Sequence, residues 1–179
     1  DGDIAVTRQC GPQRFDGVHL VFFDADHGAV CANRLHGDAG AVKDAAVLVG
    51  SDASTDGTNR ILGEYSEKHP GIRPYYSDVR RGKPSMINHL ANQAEDEILL
   101  FTDAKVIFDR DTVRGLVRHF KNEQVGIVGC NIINRTIRRD GVSIQESAFM
   151  SREILMKYRE GLVWGSTVGV YGAAYAIRK

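Results

Sequence analysis

Short apolar runs separated by helix-spaced stripes set the rhythm of this chain. Residues 18–23, 46–50, 72–77, 97–102, 125–133 and 173–177 have the length of buried strands and are too short for helices. Between them apolar residues recur every three or four positions. Ile61, Leu62 and Tyr65 form one such face, Met86, Ile87, Leu90, Ala91 and Ala94 a second, and Val113, Leu116, Val117 and Phe120 a third. A longer helix is expected over 143–164, with Ile154, Leu155, Tyr158 and Leu162 as its buried side. Strand alternating with helix from residue 18 to about 133 predicts a mostly parallel, Rossmann-like α/β sheet with helices on both faces. Pro74 cannot donate to a ladder, so 72–77 is expected to be an edge strand or an irregular one. Residues 29–35 fit a short helix, whereas 1–17 and 36–46 carry no clear period.

The chemistry-bearing residues stand just after these runs, where open α/β sheets bind their ligands. Asp103 lies where strand 97–102 must stop, placed for a metal ion or a ribose hydroxyl. Upstream, Arg80-Arg81-Gly82-Lys83 is a basic loop with natural phosphate partners. It opens into a helix at Pro84, whose missing N–H costs nothing in a first turn. Asp24 and Asp26 form a D-x-D after the first strand, a second possible metal site. Asp52, Ser54, Asp56 and Gly57 match the start of an EF-hand loop, but its twelfth position holds Gly63 where a bidentate Glu is needed. The segment therefore reads as a strand-to-helix turn, capped by Ser54, Thr55 or Asp56, with Gly57 at the strained angle. Asp111 is read as the cap of the helix at 112, and His89 as solvent-facing or cap-bonded. Residues 165–172, GSTVGVYG, form a glycine-spaced loop that lets backbone approach a ligand. Taken singly, each of these has a bland reading as a solvated turn acid, a surface lysine or an ordinary loop.

Bulk properties narrow the field. The 179 residues suit one domain with a real core. The 23 basic and 23 acidic residues cancel, which leaves no domain-wide footprint for nucleic acid. Cys10, Cys31 and Cys130 are far apart, without a CxxC pair, and predict free thiols in a reducing compartment. Cys130, inside a strand, is expected to be buried and inert. No apolar run approaches the roughly 20 residues of a membrane span, and the N-terminus lacks a signal-peptide pattern.

Three segments resemble family 2 glycosyltransferases of the GT-A fold. VLVGSDASTDGT is similar to their strand followed by "DDGSTDGT". RRGKPSMINHLANQAEDEILLFTDAKVIFDRD is similar to "GK-x-x-ALN…GE-x-x-x-FTDAD-x-x-x-x-PD". QESAFMSREILMKYREGLVWGSTVGVYGAAYAIRK is similar to the helix and "GS…GA-x-YA-x-RR" that follow. Together they cover residues 46–179 in the family's order. The resemblance implies one GT-A-like domain, with a nucleotide-sugar donor half at 46–133 and the start of an acceptor half at 134–179. It implies inverting transfer of a sugar from a nucleotide-sugar, such as a UDP-sugar, to a saccharide or lipid-linked hydroxyl acceptor. Asp52 matches the acid that holds the base, and a carboxylate can accept an imide N–H. Lys83 and Arg81 match the nucleotide side, and Asp103 the first acid of the metal- and ribose-binding D-x-D, for Mg2+ or Mn2+. Glu146, Gly165, Ser166 and Gly172 match the acceptor side. A cytoplasmic enzyme of the cell envelope, working at the inner membrane face, is the setting implied.

The departures from the pattern carry expectations of their own. Ser51 replaces the first acid of "DDGS", and Lys105 replaces the last acid of the D-x-D. FFDADHGAV stands where the family has "PAYNEE". The family's catalytic base follows the last matched strand, so it is expected beyond Lys179, and residues 1–179 are expected to bind donor without transfer. Two other readings compete. A non-catalytic nucleotide-sugar-binding module would keep the sheet and lose the chemistry. A sugar-1-phosphate nucleotidyltransferase would need a glycine-rich phosphate loop that residues 1–30 lack.

Overall fold

Within the strands Val47–Asp52 and Ile98–Asp103, successive residues are buried into opposite layers. Val47, Val49, Ile98 and Leu100 join one core, whereas Leu48, Leu99 and Phe101 join another. This is the period-2 geometry of a sheet covered on both faces, which is why these strands are apolar throughout. A computed structural model describes residues 18–24, 46–103, 106–109, 111–133 and 142–179.

The strands are β1 (Val18–Asp24), β2 (Val47–Asp52), β3 (Ile72–Ser77), β4 (Ile98–Asp103), β5 (Ile127–Gly129) and β6 (Ala174–Arg178). The helices are α1 (Thr58–Lys68), α2 (Lys83–Gln93), α3 (Thr112–Val117) with a 3-10 turn at Arg118–Lys121, and α4 (Val142–Trp164). The sheet order is β3-β2-β1-β4-β6-β5. The first four strands in that order are parallel, and β6 and β5 are antiparallel additions. The expected mostly parallel sheet is present, and Pro74 sits on edge strand β3.

One core packs Leu62 of α1 and Val113, Leu116 and Val117 of α3 on the sheet, with Phe120 beside them. The opposite core packs Met86, Leu90 and Ala94, from α2 and its end, on Leu48, Leu99 and Phe101. Leu90 and Leu100 are fully buried, and each contributes roughly 1.5–3 kcal/mol of hydrophobic stabilisation. Gly50 makes the second core possible. A Cβ there would lie 2.6 Å from Met86 Cγ, so only glycine lets α2 close on β2.

Several local expectations change. The strand expected over 125–133 is only the three residues of β5, which pairs with β6 alone. Gly57 has an ordinary φ of −69°, and the positive φ belongs to Ala53, at 54°. Asp56 serves α1, since its Oδ1 accepts the Thr58 N–H at 3.0 Å. Asp111 stands at the first helical boundary of α3 but makes no capping bond; its carboxylate pairs with Arg114 instead. His89 stacks on Tyr75, with ring centroids 3.9 Å apart, and lies within 2.7 Å of Gln93 Nε2.

The largest change concerns α4. Leu155, Tyr158 and Leu162 are exposed rather than buried, and Ile154 is half-buried. The reason is a polar stripe on the same helix. Lys157 Nζ reaches the carbonyls of Val168 and Gly169 at 3.1 and 3.4 Å, and Glu160 accepts the Val168 N–H at 3.1 Å. These bonds turn the polar side of α4 towards loop 165–172 and leave its apolar side outward. Among the described residues, no helix is long and apolar enough to cross a membrane. The expected helix at 29–35, the turn at 138–141, Cys10, Cys31, Asp26 and Lys105 lie outside the described residues.

Candidate active site

Parallel pairing brings the chemistry together. β2 and β4 both run parallel to β1, so Asp52 and Asp103 end on the same rim of the sheet. The strand order reverses between β1 and β4, and that crevice is where such sheets bind ligands. In register, Phe23 faces Asp103 and Asp24 faces Ser51, so the backbone of Asp24 lies between the two acids' strands.

Asp52 is 1 % exposed, and its carboxylate is already engaged. Oδ1 accepts the Arg81 N–H at 2.9 Å, and Oδ2 accepts the Gly82 N–H at 2.8 Å. Gly82 has a φ of 83°, which directs its N–H into this bond without the cost a side chain would bring. The neighbouring Ala53 N–H donates to Ser77 O at 3.1 Å, tying the end of β2 to β3. Ser51, in the place of the family's first acid, is fully buried and bonds Ser54 at 2.9 Å and Asn59 at 2.6 Å. Asp52 is therefore an anchor of the basic loop. Each of its oxygens accepts one backbone N–H from that loop.

The loop so anchored carries Lys83 to Asp103. Their side chains form an ion pair, and each is a little over a third exposed. Lys83 Nζ also lies 3.5 Å from Gly172 O, and the Asp103 N–H donates to Ala173 O at 2.9 Å. The C-terminal end of loop 165–172 thus meets Lys83 and Asp103. Arg81 is exposed beside them. Burial raises the pKa of Tyr175, and the Asp103 carboxylate raises it further, which places this phenol within the acid's field.

Loop 165–172 is propped from below by Lys157 and Glu160, and Glu160 also accepts from Thr167 Oγ1 at 3.0 Å. Gly165 and Ser166 are exposed at the end of α4. Glu146 lies on α4, but its side chain is outside the described part of the structure. The props were missed in the sequence reading. Their signal was there, as charged residues at 153, 157 and 160 on one helical stripe. A groove of about 540 Å³ runs along α4 past Arg152, Leu155, Arg159, Glu160 and Trp164, and Asp52, Lys83 and Asp103 do not line it.

The donor atoms bear on the cation. Among the described residues no group of three or more His, Cys, Asp or Glu side chains could hold a metal. Among the side chains described at this rim, Asp52 is engaged by two backbone N–H groups and Asp103 is a partly exposed carboxylate. One carboxylate suits a Mg2+- or Mn2+-type ion that takes most of its other oxygens from water and a bound diphosphate. The residues fit a shared ion of that kind and not a free-standing metal site.

Solved structures share the fold. The mannosyltransferase PcManGT from Pyrobaculum calidifontis, solved in complex with GDP-Man and Mn2+, superposes with a TM-score of 0.71 at 22% identity. The match covers 92% of this chain and 45% of that one, so this chain spans less than half the length of its neighbour. S. aureus TarS superposes at 0.54 with 18% identity, over 69% of this chain and 23% of that one. Its 1–349 form superposes at 0.52 with 17% identity, over 69% and 38%. These likenesses show the fold. No curated protein matches this chain by sequence. The sequence pattern of Glycosyl transferase family 2 matches residues 31–179, and the chain belongs to that family.

Proposed function

We propose that this chain binds a nucleoside diphosphate sugar at the rim between β2 and β4 and serves its transfer to a hydroxyl acceptor with inversion. One observation carries the reading: Asp52 holds the Arg81–Lys83 loop so that Lys83 meets Asp103 beside the loop that ends at Gly172. Lys83 and Arg81 supply positive charge for the diphosphate. Asp103 is placed for the ribose or for a shared divalent cation. That cation, when bound, would neutralise charge developing on the leaving diphosphate.

Inverting transfer is a single displacement. The acceptor oxygen bonds to the anomeric carbon as the bond to the diphosphate breaks, and a base takes the acceptor's proton. Loop 165–172, fixed by Lys157 and Glu160, is the surface on which the acceptor would rest. Glu146 is the acid that family resemblance offers on that side, and the family's usual base follows the strand matched by β6. A saccharide or lipid-linked acceptor and a place at the inner face of a membrane belong to the same proposal.

The test is a thermal-shift panel of GDP, UDP, ADP and CDP, each with and without Mn2+, followed by a transfer assay with the matching sugar nucleotide. A binder stabilises by RT ln(1 + [L]/Kd), so the panel ranks bases and the metal requirement together. GDP belongs in it because the Pyrobaculum neighbour was solved with GDP-Man and Mn2+. Absence of any stabilisation would defeat the proposal. A second reading, a sugar-nucleotide-binding module without chemistry, is favoured by Lys105 in the place of the family's last acid. Binding together with donor and acceptor conversion would exclude it.

A further inference from the structure

We propose that Lys83 is the resident counter-ion of Asp103 and makes cation binding conditional on the diphosphate. The inference rests on the donor-site reading above. Three observations lead to it. The Lys83 ammonium is paired with Asp103, a partly exposed carboxylate at this rim that is placed for a cation. Lys83 is the first residue of α2, and the preceding Arg81 and Gly82 N–H groups are tied to Asp52. The ammonium is therefore held by a fixed loop and not swung in from a distant surface. Among the described residues its second contact is a long bond to Gly172 O at 3.5 Å, and no competing acid holds it.

The consequence is electrostatic. A divalent ion approaching Asp103 alone must displace an ammonium already there, or bind beside it against repulsion between like charges. A diphosphate offers the ammonium a better partner, since phosphate oxygens form short charge-assisted bonds. Once Lys83 turns to the diphosphate, Asp103 is free for the cation that the same phosphates help to hold. Breaking the Lys83–Asp103 pair is needed once, whether the nucleotide, the cation or both bind. When both bind, that single cost is shared, and the sharing appears as positive coupling between them. Lys83 is thus a positioning residue for the cation as well as a phosphate contact.

Coupling is measurable apart from any turnover. Calorimetry on the full chain would give the Kd of GDP and of UDP in EDTA and in saturating Mn2+, for the wild type, Lys83→Met and Lys83→Arg. Electron paramagnetic resonance of free Mn2+ would give the metal-alone affinity of the same proteins. Mn2+ should tighten diphosphate binding more in the wild type than in Lys83→Met, by about fivefold, the weight of a half-exposed ion pair. Lys83→Met should bind Mn2+ alone better than wild type by a similar factor, and Lys83→Arg, which keeps the charge, should behave as wild type. Equal Mn2+ enhancement in wild type and Lys83→Met would overturn the inference. If no diphosphate binds the wild type, the donor-site reading fails, and the metal-alone comparison still decides. In that comparison, Mn2+ binding no tighter in Lys83→Met than in wild type sinks the role of Lys83.

Discussion

Asp52 and Gly82 are joined by a 2.8 Å hydrogen bond from the Gly82 N–H to Oδ2, across 30 residues of sequence. With its companion from Arg81, this bond makes a buried carboxylate the hub of the loop that carries Lys83. Asp52→Ala should leave two donors unpaired and lower stability by about 1–3 kcal/mol, without any ligand present. Diphosphate affinity should fall as well, because the loop carries Arg81 and Lys83. Urea unfolding of the ligand-free variant separates this role from one confined to base recognition, which would leave stability unchanged.

Ala53 holds a φ of 54°, a conformation that suits glycine. An L-residue in the left-handed region is strained by roughly 1–2 kcal/mol. Glycine returns about 0.4–1 kcal/mol of this through the greater freedom of its unfolded chain. Ala53→Gly should therefore raise stability by up to about 1 kcal/mol and leave diphosphate binding intact. A thermal melt with an unchanged or lower Tm would contradict this.

Gly50 faces the opposite constraint. A methyl group there would meet Met86 Cγ at 2.6 Å and Leu90 Cδ1 at 3.0 Å. Gly50→Ala should cost about 1–3 kcal/mol through overpacking between β2 and α2. Adding Met86→Ala should recover part of the loss, since it removes the atoms in conflict. Denaturant midpoints of the single and double variants check both statements.

His119 sets a pH dependence. Burial lowers its pKa from 6.5, and the charge of Arg118 adds to the shift. The folded protein thus binds this proton less readily than the unfolded chain. Its contribution is present above the unfolded pKa and is lost as pH falls from about 6.5 towards the lower folded value. Wild type should lose more stability between pH 7.5 and 5.5 than His119→Gln does. Parallel losses in urea titrations at the two pH values would remove His119 from the account.

Cys130 is expected to be inert. Burial pushes its thiol up to about 12, so almost no thiolate exists at pH 8. Iodoacetamide should label the Cys130 peptide in the native protein far more slowly than in urea. Cys130 lies just after β5 and is half-buried rather than fully buried, and mass spectrometry showing equal rates would contradict even this partial cover.

Much of the fold was legible because burial on both faces leaves a plain signature. Runs such as 97–102 can only be covered strands, and strand alternating with helix forces parallel pairing, which puts Asp52 and Asp103 on one rim. The positions of Lys83 and Gly165–Gly172 followed from local pattern for the same reason. Tertiary structure decided what those residues do. The partners of Asp52 lie 29 and 30 residues away, and hydrogen bonds to backbone leave no mark on the identity of the partner residue. The periodicity of α4 located a helix with an apolar face but could not say which face would turn inward. That was settled by Lys157 and Glu160, whose bonds to loop 165–172 hold the polar stripe against the fold. The strained angle at Ala53 was equally hidden, because residue type made Gly57 the natural choice, while the ladder bond from Ala53 to Ser77 put the turn four residues earlier.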